Sequence, residues 1–197
     1  MTTDDEILNV IVGDKPAPYS VKVVVDDYNP DWPRWYEEEA SRIRSALGPI
    51  AVRLEHVGST SVPGLPAKPI IDVILAVPDS SIEDAYVPAL VAAGYDLHIR
   101  ELEWHQHRVF YNRVERGHRR DVNLHVYTEG CAEYDACVVF RDWLRTHPED
   151  LALYRDAKLE LSKKDWKYVQ NYADAKTPVI ETIKTRAAPT PTPCPKH

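Results

Sequence analysis

Eight consecutive residues, Ile70-Ile71-Asp72-Val73-Ile74-Leu75-Ala76-Val77, are apolar except for Asp72. Side chains of a strand alternate between its two faces, so a run this continuous is apolar on both. Such a strand needs cover on each side, which points to a layered sheet with helices against it. The single carboxylate inside it costs several kcal/mol if it is buried without a partner. Asp72 is therefore expected to meet a cation, a metal or strong hydrogen-bond donors.

The surrounding pattern fits an α/β (α+β) domain, a mixed sheet flanked by helices with a helical C-terminal part. Residues 1–20 read as an N-terminal arm, with one short apolar segment from Ile7 to Val12. Val21–Val25 and Val52–Val57 read as strands, and Asp31 with Pro33 opens a helix that Gly48-Pro49 ends near Leu47. Trp32, Trp35 and Tyr36 pin that helix to the core. Ile82–Ala93 reads as a helix, and Tyr95–Val126 as further strands. Helices are expected over Tyr134–Arg145, Leu151–Lys164 and Lys167–Thr185. From Ala187 the chain carries four prolines in eleven residues, which predicts a disordered tail over residues 187–197 and leaves residues 21–186 as one domain.

Composition narrows the function. The chain has 197 residues and a net charge of −7, from 31 acids against 24 bases. An acidic surface repels nucleic acid and anionic lipid at long range, which argues against either as a general partner. Cys131, Cys137 and Cys194 form no CxxC pair, so no disulfide framework or zinc-thiolate site is implied and a reducing, cytoplasmic setting is expected. No apolar run of membrane-spanning length occurs, and the acidic start lacks the order of a signal peptide.

The segment most able to carry chemistry precedes the apolar strand: His56-Val57-Gly58-Ser59-Thr60-Ser61-Val62-Pro63-Gly64-Leu65-Pro66-Ala67-Lys68. Glycine lets backbone approach a ligand, and successive N–H groups with the hydroxyls of Ser59, Thr60 and Ser61 suit phosphate. Lys68 adds a cation. The competing reading is a tight turn with Asp72 capping it.

This run, with Tyr28-Asn29-Pro30-Asp31-Trp32, Asn123-Leu124-His125-Val126, Phe140-Arg141-Asp142-Trp143-Leu144-Arg145, Tyr154, Lys158, Tyr172 and Lys176, resembles the GrpB family from about Asp4 to Arg186. That family is also met as a domain attached to dephospho-CoA kinases. The resemblance implies a nucleotidyltransferase-like fold with Gly58-Ser59 at a nucleotide's phosphates. It implies Mg2+ or Mn2+ on carboxylates one residue apart on the next strand and a third on a later strand. Twelve residues separate Ser59 from Asp72, as that pattern requires, but the second carboxylate position holds Ile74.

On the later strand, Asp121, Asn123, His125 and Tyr127 share one face and Val122, Leu124 and Val126 the other. The polar face either meets solvent or lines a cleft. In the second case Asp121 or His125 joins Asp72 as catalytic and metal-binding groups. His98, His105, His107 and His118 nearby could hold a transition metal with Asp72, or serve as ordinary polar residues. Arg108 and Arg113 are bidentate anion ligands or members of a solvated hairpin. Tyr172 and Lys176, four apart, share a helical face, which makes Lys176 an anion ligand if that face overlooks the cleft. Two functions follow: a metal-dependent transferase acting on a nucleotide or other phosphorylated small molecule, or a non-catalytic module that keeps the anion pocket.

Overall fold

The structure is a computed structural model describing residues 3–13 and 21–187. Its centre is a five-stranded mixed sheet of order β2-β3-β6-β5-β4. The strands are β2 (Arg53–Val57), β3 (Ile70–Val77), β4 (Asp96–Glu101), β5 (His107–Asn112) and β6 (Asp121–Thr128). The continuous apolar strand β3 lies inside the sheet, parallel to β6 and antiparallel to β2. A two-stranded ribbon, β1 (Val21–Lys22) with β7 (Asp165–Trp166), stands apart from it.

Alternation along β3 assigns two cores. Ile71, Val73, Leu75 and Val77 pack with Leu54, Phe110, Val122, Leu124 and Val126 against α2 (Trp32–Leu47) and α3 (Val87–Ala92). Burying each such side chain contributes about 1.5–3 kcal/mol. Ile74 and Ala76 face the other way and pack with Val57, Tyr127 and Tyr134, under α4 (Ala132–Thr146). Helices α5 (Pro148–Ser162) and α7 (Thr177–Ala187) complete that side through a third cluster that includes Leu65, Leu144, Tyr154 and Ile183.

The expected helix from Asp31 to Leu47 is present, and it stops where Gly48 turns to φ 54°. Trp32 and Tyr36 are buried in the main core, with Trp35 against it. Ile82–Ala93 is instead a 3-10 turn, Glu83–Ala85, followed by the short α3. Pro88 at its start fits the orphaned first turn of a helix. The expected helix over Lys167–Thr185 is two, α6 (Val169–Ala175) and α7, divided at Lys176 just before Thr177-Pro178. The residue before a proline disfavours helical backbone, which accounts for the break.

In the N-terminal segment, α1 (Asp4–Asn9) is capped by Thr3 and Glu6, and Ile11 bridges to Ile99 at the sheet edge. Apart from Ala187, which ends α7, the expected tail lies outside the described residues. Among the described residues no helix is long and apolar enough to cross a membrane.

Candidate functional site

The connection from β2 to β3 is built around one close approach. Gly58, at φ +67°, sits against the Asp72 carboxylate so tightly that a Cβ there would lie 2.3 Å from Oδ2. Beyond it, residues Ser59–Ser61 form a 3-10 turn. Two arginines of α4 hold the turn from outside. Arg141 donates to the His56 carbonyl at 2.9 Å, and Arg145 to the Ser61 carbonyl at 2.7 and 3.1 Å.

Of the three loop hydroxyls, two are used internally. Thr60 donates to the Ile70 carbonyl at 3.1 Å and meets His56 Nε2 at 3.0 Å, while Ser61 donates to the Gly58 carbonyl at 2.6 Å. Both residues are buried. These bonds use the two hydroxyls to shape the turn. Ser59 instead lies beside the Tyr154 hydroxyl, pulling its pKa down against the upward push of burial.

Asp72 pairs in register with Asn123 on β6, whose side-chain amide donates to Oδ1 at 2.7 Å. Arg113 donates to Asn123 Oδ1 at 2.7 Å and to the Val122 carbonyl at 2.7 Å, and its guanidinium lies 3.7 Å from the Tyr111 ring centroid. One orientation of the Asn123 amide satisfies both bonds, giving a chain Arg113–Asn123–Asp72.

Lysines close the other side. Lys68 and Lys176 both lie over the Tyr172 ring, at 5.6 and 4.9 Å. Lys158, 3% exposed, donates to the Pro66 carbonyl at 2.5 Å and lies 5.4 Å from the Tyr154 ring. Burial, then the Lys176 charge, lowers Lys158 to about 7. Burial also pushes Lys68 and Lys176 down and Asp72 up, the last against the pull of Asn123 and of Lys68, Lys176 and Arg113. Lys68, Lys176 and Arg113 thus act on one carboxylate with Lys158 beside them, and burial shifts all five groups toward their neutral forms.

The remaining expected site residues are placed as follows. Asp121 and His125 share the sheet face of Asp72 but lie two positions either side of Asn123, and neither is bonded to Asp72. Asp121 accepts from the Val114 amide at 2.9 Å. His125 Nδ1 meets His107 Nε2 at 3.0 Å, and burial lowers its pKa to about 3, so it is a neutral imidazole. Arg108 is not brought to this site. It lies on the opposite face, 2% exposed, with its Nε donating to Glu83 at 2.6 Å. Strand parity separates it from Arg113: five residues apart on one extended path, the two point to opposite sides.

The same parity, read through His107, Val109 and Tyr111, was the signal that selects Arg113. Asn123 and Lys158 carried no chemical signature beyond their place in the matching motifs.

Mg2+ or Mn2+ would need further anionic donors beside Asp72. The group level with Asp72 is an amide donating to it, and the neighbouring charges are cations. Ile74 is 1% exposed within an apolar cluster, so the second carboxylate position is occupied by core. Among the described residues no three His, Cys, Asp or Glu side chains gather as a metal-holding group. This donor set does not fit a divalent cation held by side chains alone.

Beside the cluster, a cleft of about 870 Å3 runs over the β5–β6 face, with Lys68, Arg113, Asp121 and His125 in its wall. The α1 segment and residues around Tyr168 form its other side.

Comparison with known proteins places this architecture. The profile of the family described as "GrpB protein" matches residues 22–186. UPF0157 protein BH1888 of Halalkalibacterium halodurans is 47% identical over 185 residues, covering 94% of this chain and 92% of that protein. A dephospho-CoA kinase of Mycolicibacterium paratuberculosis is 28% identical, the match covering 85% of this chain but 46% of the kinase. The crystal structure of conserved protein GrpB from Enterococcus faecalis superposes with a TM-score of 0.71 at 28% identity, covering 83% of this chain and 96% of that one. The chain belongs to the GrpB family.

Proposed function

We propose that this protein binds a phosphorylated small molecule, a nucleotide among the possible classes, and that side-chain cations rather than a protein-held metal receive the phosphate. The observation that carries this reading is the convergence of Lys68, Lys158, Lys176 and Arg113 around the single carboxylate of Asp72. Partly desolvated like charges repel, and an anion of two or more charges relieves that repulsion. A second support is the Tyr172 hydroxyl, buried with no hydrogen-bond partner among the described residues. An unsatisfied buried hydroxyl costs about 1–3 kcal/mol, which a ligand oxygen would recover. The match to part of a dephospho-CoA kinase is consistent with a domain that handles phosphorylated compounds beside another activity.

A second reading, a transferase of the nucleotidyltransferase-like class using Mg2+ or Mn2+, rests on the placement of Ser59 at the end of β2 and Asp72 on β3. It requires ligand phosphates to supply most of the metal's shell.

Calorimetry with inorganic phosphate, pyrophosphate and nucleoside triphosphates, each with and without Mg2+ or Mn2+, separates the two. The binding-module reading expects saturable, metal-independent binding that Lys68→Met and Lys176→Met each weaken at least tenfold. Binding that appears only with metal favours the transferase. No binding of any of these anions at millimolar concentration overturns both.

A further inference from the structure

Of the cationic cluster, Lys68 and Arg113 reach the wall of the cleft; much of the rest of that wall is of a different kind. Ile7 and Ile11 of the N-terminal segment, Val24, Ile99, Val109 and Trp104 line the space leading away from Lys68 and Arg113. Val24 is 66% exposed and Trp104 44%, although both are large apolar side chains at the mouth of a cavity. Trp104 is held in place, edge-on to His107 at 5.2 Å and to Tyr127 at 6.3 Å. The charged groups of this stretch are already paired: Glu101 with His107 at 2.6 Å, Glu6 with the Thr3 amide at 2.7 Å, and Lys167 with Asp4. The carboxylates of this stretch are thus engaged in hydrogen bonds, while the other end carries the Lys68 ammonium and the Arg113 guanidinium.

From this polarity we propose that the ligand is an amphiphilic monophosphate: a phosphate head on Lys68 and Arg113, and an apolar body, aliphatic or aromatic, lying along Val109 toward Trp104. The inference rests on the phosphate-binding reading above and names the ligand class for that site. A bare polyphosphate would leave the apolar wall wet. A purely apolar ligand would leave the cations unpaired. The cavity, about 870 Å3, falls within the range of about 300–1,000 Å3 of small-molecule sites. A cleft of this size suits a single soluble molecule rather than a lipid surface.

The test is a calorimetric titration of the full chain with inorganic phosphate and then with n-alkyl phosphates from ethyl to octyl, all below their micellar concentrations. Each methylene that leaves water for this wall is expected to tighten the dissociation constant about two- to fourfold until the cleft is filled. Trp104→Ala and Val24→Ala should flatten that gain, and Trp104→Phe should restore most of it. Both positions are exposed, so the variants should fold, which thermal unfolding checks. Lys68→Met should weaken every member of the series by the same factor.

If inorganic phosphate binds but affinity is indifferent to chain length, the amphiphile is wrong and the phosphate-binding reading survives. If neither phosphate nor any alkyl phosphate binds, the phosphate-binding reading itself fails. Co-sedimentation with phosphatidic acid vesicles without binding of the soluble series would also overturn the proposal, in favour of a lipid surface.

Discussion

Gly58→Ala tests the construction of the site more directly than any ligand experiment. The residue has φ 67° and ψ −172°, a region that only glycine enters at low cost, so alanine carries a backbone penalty of roughly 1–3 kcal/mol. The new methyl would lie 2.3 Å from Asp72 Oδ2 and 2.9 Å from its Cβ, and Asp72 cannot retreat because β3 is locked between β2 and β6. Overpacking of this kind adds roughly 1–3 kcal/mol. The sum, about 2–6 kcal/mol, is a large part of an ordinary domain's stability of about 5–15 kcal/mol.

Gly64→Ala is the control. Gly64 also has positive φ, 78°, but a Cβ there meets nothing within 4 Å, so only a backbone cost remains. Equilibrium urea unfolding of wild type, both alanine variants, Asp72→Ala and the Gly58→Ala/Asp72→Ala double variant closes the comparison. Asp72→Ala removes Oδ2 and Cγ, so the double variant should be less destabilised than the sum of the singles by about 1–2 kcal/mol. Equal costs at Gly58 and Gly64, or strict additivity with Asp72→Ala, would refute the close approach.

Three further outcomes are expected. Burial holds Lys158 at about 7, below its ordinary 10.5, so its folded-state penalty is complete below about pH 7 and relieved as pH rises toward 10.5. Lys158→Met should therefore be more stable than wild type at pH 6.5, by an order of 2–3 kcal/mol after the lost bond to Pro66 is counted. Urea unfolding should show that advantage shrinking by pH 9.5, and a pH-independent difference would contradict the assignment. Ile74→Asp should cost several kcal/mol without creating Mn2+ affinity, because the position lies among Val57, Ala76, Tyr127 and Tyr134; a stable variant that binds Mn2+ tightly would show the position open to ligation. Arg108→Gln should lose about 1–3 kcal/mol by removing its bond to Glu83, which keeps its two bonds from Arg100 on the far face, while phosphate affinity by calorimetry stays within twofold.

Much of this molecule is legible along the chain, because strand and helix periods are local properties. The apolar run of β3, the alternation of β6 and the glycine-ended α2 each follow from side chains a few residues apart. Parity alone also puts Asp72 beside a face carrying Asp121, Asn123 and His125 once the two strands are known to be neighbours. The resemblance to GrpB supplies that neighbourhood, and Ile74 is visible in the sequence as a break in the metal-binding pattern.

What the sequence leaves open is decided by register and by the helices that return over the sheet. A parallel pairing sets Asn123, and not Asp121 or His125, level with Asp72, so an amide donor stands where an acid was expected. The break at Thr177-Pro178 leaves Lys176 at the end of α6 over Tyr172, and α5 brings Lys158 to Pro66, more than ninety positions earlier in the chain. Thr60 and Ser61 look like phosphate ligands in one dimension, yet the turn consumes both hydroxyls in its own bonds. Charge convergence of this kind has no local signature. It depends on long-range packing bringing distant side chains together, with burial then setting the strength of each charge.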